Sequence, residues 1–424
     1  MSVAVLTRPD FLKASQIPIW VVITGNVRSG KEFRRMFGQA LELREKGLVD
    51  GIRFVTWQGE LEQAPGLEHA LTRAGISILT IAPPRPDPKV HPLFHGYVYH
   101  QRKCLQFGLR SLPQDCFVLK ARTDFAEERF DAMVATLFGT PGLSLQVEIA
   151  SPVIGTRLFS YDVRPDYLFY WDDIVFSGLR DDLLKVNNFD LGYQFIHPGH
   201  ISCAETQLFS PLFLRHYPVL AWFFENVHGE SFSQILQRWV SGGCASPLPA
   251  LVMDILAAYF HILSRYVVLP QAAGSAAAPL TLGAFFTPCP ELGVKRFSHP
   301  WASHKLVSQC LLERLRGPEA FADAHLAALA AAMRKMDADA STRGALSPTF
   351  EDDLRCFTTF GESLGIKPLI AQTQLIPAQV QEPFHAAEFL DAVELPEKRQ
   401  LSRWQQRQKG ARTKAATWVL QKLL

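Results

Sequence analysis

The first 124 residues alternate between short apolar segments and amphipathic segments, and this alternation limits the possible folds more than any other feature. Short apolar runs predict strands at Ile17–Thr24, Gly51–Trp57, Ile76–Ile81 and Cys116–Lys120. A helical pattern separates each strand from the next, and the pattern before the fourth strand runs from Tyr99 to Ser111. Such alternation is typical of parallel strands joined by right-handed crossovers. The sequence therefore predicts an α/β fold with a mostly parallel sheet flanked by helices.

The sequence pattern changes after about residue 217, where alanine- and leucine-rich helical patterns such as Leu248–Tyr266 and Pro318–Met336 predominate. A chain of 424 residues is long enough for two domains. We therefore predict a catalytic α/β domain over residues 1–216 and a mainly helical region over residues 217–395.

The last stretch, residues 396–424, contains eight basic residues and one acidic residue, Glu397. Leu401, Trp404 and Trp418 fall on one face of a helix drawn through it. A basic amphipathic helix with tryptophans binds anionic membrane surfaces. The alternative is a solvated tail without a membrane role.

Composition excludes several classes of protein. The chain is 48% hydrophobic and 20% charged with a net charge of +2, which does not indicate a nucleic-acid-binding protein. Its seven cysteines show no metal-binding spacing and indicate reduced thiols, and the N-terminus does not resemble a signal peptide. We expect a cytoplasmic protein, with the basic tail holding it at the inner face of the membrane.

The segment Gly25–Lys31 follows the first strand and precedes a helix, with glycines at positions 25 and 30. This spacing is close to that of a phosphate-binding P-loop. Glu32 stands where such a loop has the serine or threonine that binds magnesium. The alternative is a nucleotide-contacting loop that presents its backbone amides and Arg28 or Lys31 to a diphosphate.

Carboxylates cluster at two predicted strand ends, in Arg122-Thr-Asp124 and in Trp171-Asp-Asp173. Ligands bind at the carboxyl ends of strands in open α/β sheets, and carboxylates there bind Mg²⁺ or Mn²⁺ together with substrate phosphates. The same residues also make local ion pairs, helix caps and turns. Glu205 starts a predicted helix and is either a cap or a general base.

The order of several motifs resembles that in a known family. The chain contains in succession VVITGN, FVTWQGE, a helix with His100-Gln101 and Gly108-Leu109, VLKARTDF, YWDDIVFSGLRDDL and AETQLF. This order resembles the WavE-type lipopolysaccharide synthesis family of glycosyltransferases over roughly residues 17–215. VLKARTD and WDDIVFSG are the most specific segments.

The resemblance implies a GT-A-like, Rossmann-like fold with a nucleotide-sugar bound across the ends of the first strands. It implies that Asp124 binds a metal ion, Mn²⁺ or Mg²⁺, or else the ribose-diphosphate part of the donor, and that Glu205 or Asp173 acts as the catalytic base. The donor- and acceptor-contacting residues that it implies are Gly25, Asn26, Arg28, Trp57, Gln101, Lys120, Arg122 and Asp172. Arg122 stands where the first aspartate of a DxD motif belongs, so metal dependence stays open at this point.

The predicted function is transfer of a sugar from a nucleotide-diphospho-sugar donor to a hydroxyl of a surface-glycan precursor, such as a lipid-linked lipopolysaccharide or capsule acceptor. Two alternatives belong to other classes. One is a P-loop phosphoryl or sulfuryl transferase that uses Gly25–Lys31, and the other is a non-catalytic scaffold in glycan assembly.

Overall fold

The computed structural model describes the greater part of residues 6–186 and several separate segments after them. The described ranges are 6–82, 100–124, 126–147, 154–161, 163, 169, 171–186, 212–213, 216–217, 236, 239–248, 250–270, 281–285, 309–342 and 373–376. The predicted base Glu205 and the basic tail 396–424 lie outside the described residues.

The strands of the described chain form one sheet of eight, in the order β7-β5-β6-β4-β1-β2-β3-β8. They are β1 (Ile19–Thr24), β2 (Gly51–Trp57), β3 (Ile76–Ile81), β4 (Phe117–Arg122), β5 (Leu158–Ser160), β6 (Phe176–Leu179), β7 (Val267–Val268) and β8 (Thr373–Ile376). β4, β1, β2 and β3 are parallel neighbours, whereas β6 and β8 run antiparallel to theirs. The predicted α/β class with a mostly parallel sheet is confirmed.

Helices flank this sheet and fill the connections between its strands. Within the described ranges they are α1 (Asp10–Ala14), α2 (Gly30–Glu45), α3 (Leu67–Arg73), α4 (His100–Arg110), α5 (Glu127–Gly139), α6 (Arg180–Val186), α7 (Ala250–Tyr266), α8 (Leu282–Phe285), α9 (Gln309–Arg316) and α10 (Ala324–Thr342), with a short 3₁₀ turn at Leu61–Gln63. The described part of residues 217–395 is mainly helical, but it also contributes β7 and β8 to the same sheet.

Sequence reasoning located the central strands well and the later ones poorly. The predicted bounds of β2 and β3 are confirmed. The aromatic segment Tyr167–Phe176 also predicts a strand or the entry to one, but β6 begins only at its last residue, Phe176, and the described residues before it belong to no strand. The segment Leu143–Ile149 predicts an extended stretch, and its described part contributes one isolated bridge, Gln146 with Thr156. Phe169 and Trp171, two of the aromatic residues that suggested a strand, are fully buried outside any strand.

The two faces of the sheet are covered by different helices. On one face Phe33 and Phe37 of α2 pack against Phe54 of β2, with their ring centroids 5.6 and 5.3 Å from that of Phe54. On the other face α4 lies so close to the sheet that a Cβ on Gly108 would come within 2.9 Å of Val55. Both faces of the central strands are therefore buried, which explains their continuous apolar runs.

The helices after residue 217 are joined by a polar network as well as by apolar packing. The Tyr217 hydroxyl lies 2.7 Å from Nδ1 of the buried His261 on α7. His261 Nε2 lies 2.6 Å from Asp337 Oδ1 on α10, and Arg265 also pairs with Asp337. Each polar atom of the imidazole ring is thus satisfied inside the helical layer.

No helix in the described ranges is both long enough and apolar enough to cross a bilayer.

Asp182 in the first turn of α6 holds the segment before β5, and its removal should be costly. Its Oδ2 accepts hydrogen bonds at 2.9 Å from the amides of Gly155 and Thr156 and from the Thr156 hydroxyl. We expect Asp182→Ala to lower the free energy of unfolding by about 2–4 kcal/mol, because buried donors lose their partner. Urea unfolding measures this loss.

The neighbouring Asp181 provides the control, since it lies in the same helical turn but 59% of its side chain is exposed. Asp181→Ala should cost less than about 1 kcal/mol, as expected for a surface ion pair. Equal losses in the two variants would show that Asp182 acts only through the helix dipole.

Candidate functional site

The loop after β1 is fixed against the carboxyl end of β4. Gly25 adopts a φ of +124°, and a Cβ at this position would come within 2.8 Å of Thr123 Oγ1. The Thr123 hydroxyl donates a 2.7 Å hydrogen bond to the carbonyl of Asn26. The backbone there leaves no room for a side chain, so a glycine is required at position 25.

A buried carboxylate already accepts the hydrogen bond of one backbone amide that a P-loop would offer to phosphate. The amide of Val27 donates to Glu60 Oε1 at 2.8 Å, and Glu60 is only 5% exposed. The N-cap Ser29 accepts a bond from the amide of Glu32 at the start of α2. Lys31 is exposed. A negative side chain at the Val27 amide disfavours the phosphate-cradling interpretation of this loop.

Asp124 is the centre of the site, directly beyond the end of β4. It is 4% exposed. Its Oδ1 accepts a hydrogen bond from Nε of Arg122 at 2.9 Å, and its Oδ2 accepts one from Nη2 of Arg122 at 3.2 Å. Arg28 from the loop after β1 reaches Oδ2 from a different element, at 3.1 Å. Two guanidinium groups from adjacent strand ends therefore converge on one buried carboxylate.

The guanidinium groups of Arg28 and Arg122, which together form a clamp on Asp124, determine the charge state of this carboxyl group. Burial alone raises the pKa of a carboxyl group, but the charge and hydrogen bonds of Arg122, with the charges of Arg28 and Lys120, outweigh burial. The pKa of Asp124 is therefore lower than its ordinary value of 3.8. The carboxylate is ionised at neutral pH.

The pair Asp172-Asp173 lies beside this clamp, and each of its carboxylates faces a different arginine. Arg122 Nη1 lies 3.3 Å from Asp173 Oδ2, so Arg122 bridges Asp124 and Asp173. Asp172 is fully buried. Its Oδ2 lies 3.5 Å from Nε of Arg129, and its Oδ1 accepts a hydrogen bond from the amide of Ile174. No hydrogen bond joins Oδ1 of Asp173 to the described residues.

Lys120 anchors the aspartate turn from inside the sheet. Its buried Nζ donates to the carbonyls of Asp173 and Ile174 and lies 4.8 Å from the centre of the Phe176 ring. Burial lowers the pKa of Lys120 well below its ordinary range, against the opposing effect of Asp173. Lys120 therefore positions the turn and does not reach solvent.

The arrangement does not fit a divalent metal ion at Asp124. Both oxygens of Asp124 accept hydrogen bonds from guanidinium groups, whose positive charge repels a cation at the same place. Among the described residues no cluster of three histidine, cysteine or acidic side chains could hold a metal.

The structure brings together most, but not all, of the residues singled out from the sequence. Gly25, Asn26, Arg28, Lys120, Arg122, Asp124, Asp172 and Asp173 are linked by the contacts above. Trp57 ends β2, and Gln101 lies in the first turn of α4 with a buried Oε1 that has no hydrogen-bond partner in the described chain. Glu205 lies outside the described residues.

Sequence reasoning missed Glu60, Thr123 and Arg129. Glu60 was detectable, because it is an acidic residue three positions beyond the end of β2, where ligand-binding side chains are expected. Arg129 had no signal of its own, since basic residues are common in exposed helices. Only the fold shows that it faces the buried Asp172.

Comparisons with known proteins add no identification. No protein-family model matches the chain, and neither the curated proteins nor the solved structures contain a significant match. The function has to be inferred from the residues and their geometry.

The lowered pKa of Asp124 predicts acid lability. As the pH falls below about 5, the unfolded chain takes up a proton at this carboxyl before the folded chain does, so the folded state loses stability. Above its ordinary pKa of 3.8 the contribution of Asp124 is fully present. We expect the free energy of unfolding of the wild type to fall more steeply between about pH 5 and pH 3 than that of Asp124→Asn.

Urea unfolding at a series of pH values gives both slopes. Parallel curves for the wild type and Asp124→Asn would contradict an ionised, arginine-clamped Asp124. The comparison depends on slopes, so a uniform loss of stability in the variant does not affect it.

Proposed function

We propose that this protein is a glycosyltransferase that binds a nucleotide-diphospho-sugar at the carboxyl ends of β1 and β4 and transfers the sugar to a hydroxyl of a surface-glycan precursor. The observation that carries the proposal is the convergence of Arg28 and Arg122 on Asp124 at these strand ends. This is the edge of a parallel sheet at which ligands bind in open α/β folds. The order of the sequence motifs supports a GT-A-like variant of that fold.

The arginines supply the charge that departure of a diphosphate requires. Arg28 is half exposed and contacts Asp124 through one nitrogen, so its other donors face a ligand at little cost. Arg122 stays fixed by its paired hydrogen bonds to Asp124. Guanidinium groups bind phosphate oxygens in planar, paired geometry, and they neutralise a leaving diphosphate without a metal ion.

The transfer step needs a base for the acceptor hydroxyl. Asp173 is the candidate within the described chain, because Arg122 holds its Oδ2 while Oδ1 is not engaged by described residues. The acceptor oxygen forms a bond to the anomeric carbon as the bond to the diphosphate oxygen breaks, and its proton passes to the carboxylate. Glu205 remains the second candidate for this role.

Gln101 and Trp57 fit donor recognition. The buried Oε1 of Gln101 is an acceptor that pairs with a hydroxyl or N–H group of a bound sugar or base. Trp57, at the end of β2, supplies an aromatic surface of the kind that packs on a sugar or a base. The residues after 217 are the proposed acceptor side.

Substitution of Arg28 should separate the glycosyltransferase from the P-loop alternative. We expect Arg28→Met to weaken binding of the preferred UDP-, GDP-, CMP- or dTDP-sugar by at least about tenfold, the usual effect of losing one charge-assisted contact. The stabilisation of the wild type by this donor should not require Mn²⁺. Thermal unfolding against the donor panel, with and without Mn²⁺, measures both effects.

Lys31→Met is the matched control, because Lys31 lies three residues away and is exposed. A glycosyltransferase of the proposed kind tolerates this change. The phosphoryl or sulfuryl transferase would be favoured if ATP, and none of the sugar nucleotides, stabilised the wild type and if Lys31→Met lost this stabilisation. Absence of any nucleotide effect would favour the scaffold.

The basic tail is proposed to hold the enzyme at an anionic membrane where lipid-linked acceptors lie. We expect the full chain to sediment with vesicles containing anionic lipid and a chain ending at residue 395 to stay in solution. Vesicles of neutral lipid are the control. Equal sedimentation of the two chains would remove the membrane role of residues 396–424.

A further inference from the structure

Arg53 is a charged residue in the middle of the sheet, away from the clamp at Asp124. It is the third residue of β2, and its neighbours in the register are Val22 of β1 and Ser77 of β3. Side chains alternate along a strand, so Arg53 lies on the same face as Val55, which α4 covers. The guanidinium group is therefore directed into the layer between α4 and the sheet.

The described residues around Arg53 provide an aromatic ring but no negative charge. Arg53 is 5% exposed, and its guanidinium carbon lies 5.6 Å from the centre of the Trp20 ring. Its buried Nε and Nη1 have no hydrogen-bond partner within the described parts of the chain. Val22 is apolar, and the Ser77 hydroxyl donates its proton to the carbonyl of Ile52. Neither register neighbour compensates the charge.

A buried, unpaired guanidinium group is costly. Burial lowers the pKa of Arg53 from its ordinary value, yet an arginine stays charged in proteins. Contact with an aromatic ring offsets only a small part of the cost of burying an unpaired charge. Buried charges in proteins are accordingly paired, and the group that suits a guanidinium is an oxyanion.

We propose that Arg53 is the centre of a binding site for a small oxyanion, of which phosphate and carboxylate groups are the two common sources. Trp20 is only partly buried, so the site is reached past this ring. The bound oxygens would accept the hydrogen bonds that Nε and Nη1 offer. The site is distinct from the clamp at Asp124, where Arg28 and Arg122 already have a carboxylate partner. It does not depend on the proposed glycosyl transfer.

The test is thermal unfolding of the full chain in sodium phosphate, sodium acetate and sodium chloride at equal ionic strength. We expect phosphate or acetate to raise the Tm of the wild type saturably, by at least about 2 °C above the value in chloride. The response to one salt and not the other identifies the class of oxyanion. Arg53→Met, which keeps the length of the side chain without its charge, should lose the response and be no less stable than the wild type in chloride.

Arg28→Met tests the clamp at Asp124, whose arginines also offer donors to a phosphate group, and the part of the oxyanion response that belongs to Arg53 should survive in this variant. Loss of the response in Arg28→Met but not in Arg53→Met would place the anion at the Asp124 clamp and overturn the proposal. A wild type without any oxyanion response would also overturn the proposal. Strong destabilisation of Arg53→Met in chloride would overturn it too, because it would show that an acidic residue of the chain is the partner of Arg53.

Arg53→Lys covers the case in which the methionine variant does not fold. It keeps the charge but lacks the planar donor pair, so its apparent affinity for the oxyanion should fall by at least about threefold. An affinity equal to that of the wild type would show that the planar guanidinium group does not bind the anion.

Discussion

The ion pair between Arg122 and Asp124 is the interaction on which the candidate site depends. It sets the end of β4, it holds a buried carboxylate ionised, and through Nη1 of Arg122 it connects β4 to the turn that carries Asp173. Arg28 brings the loop after β1 to the same carboxylate. Three elements that are distant in sequence thus share one charge cluster. Breaking such a buried cluster costs more than forming it contributes, which makes it a strong constraint on geometry.

The central part of the fold could be predicted because its physical cause is local. β1, β2, β3 and β4 are covered on both faces, so each appears in the sequence as a mainly apolar run with turn residues at its ends. The strand-end rule then placed Arg122 and Asp124 at a ligand-binding edge. The same rule did not locate β6, because Phe169 and Trp171 are fully buried outside any strand. Composition does not distinguish these two forms of burial.

Pairing of the charges could not be predicted, because it depends on tertiary contacts. Arg28 and Asp124 are 96 positions apart, and Arg122 and Asp173 are 51 apart. The sequence suggested that the carboxylates would bind a metal ion, whereas in the fold both oxygens of Asp124 accept hydrogen bonds from arginine side chains. A motif shows which ionisable groups lie at a strand end, and only the fold shows which of them neutralise each other. The buried Arg53 illustrates the converse, since nothing around it in the sequence shows that the described residues leave its charge uncompensated.

A site whose charges are already paired can still bind a substrate tightly. Asp124 fixes the guanidinium plane of Arg122 before any ligand arrives, so the entropy of ordering that side chain has been lost during folding and not during binding. Arg28 contacts Asp124 through one nitrogen and lies half in solvent, so its remaining donors are available to a phosphate oxygen while that contact stays in place. In the proposed transfer, Arg122 is the preorganised group and Arg28 is the group that selects the anion. Together the two guanidinium groups would stabilise the leaving diphosphate.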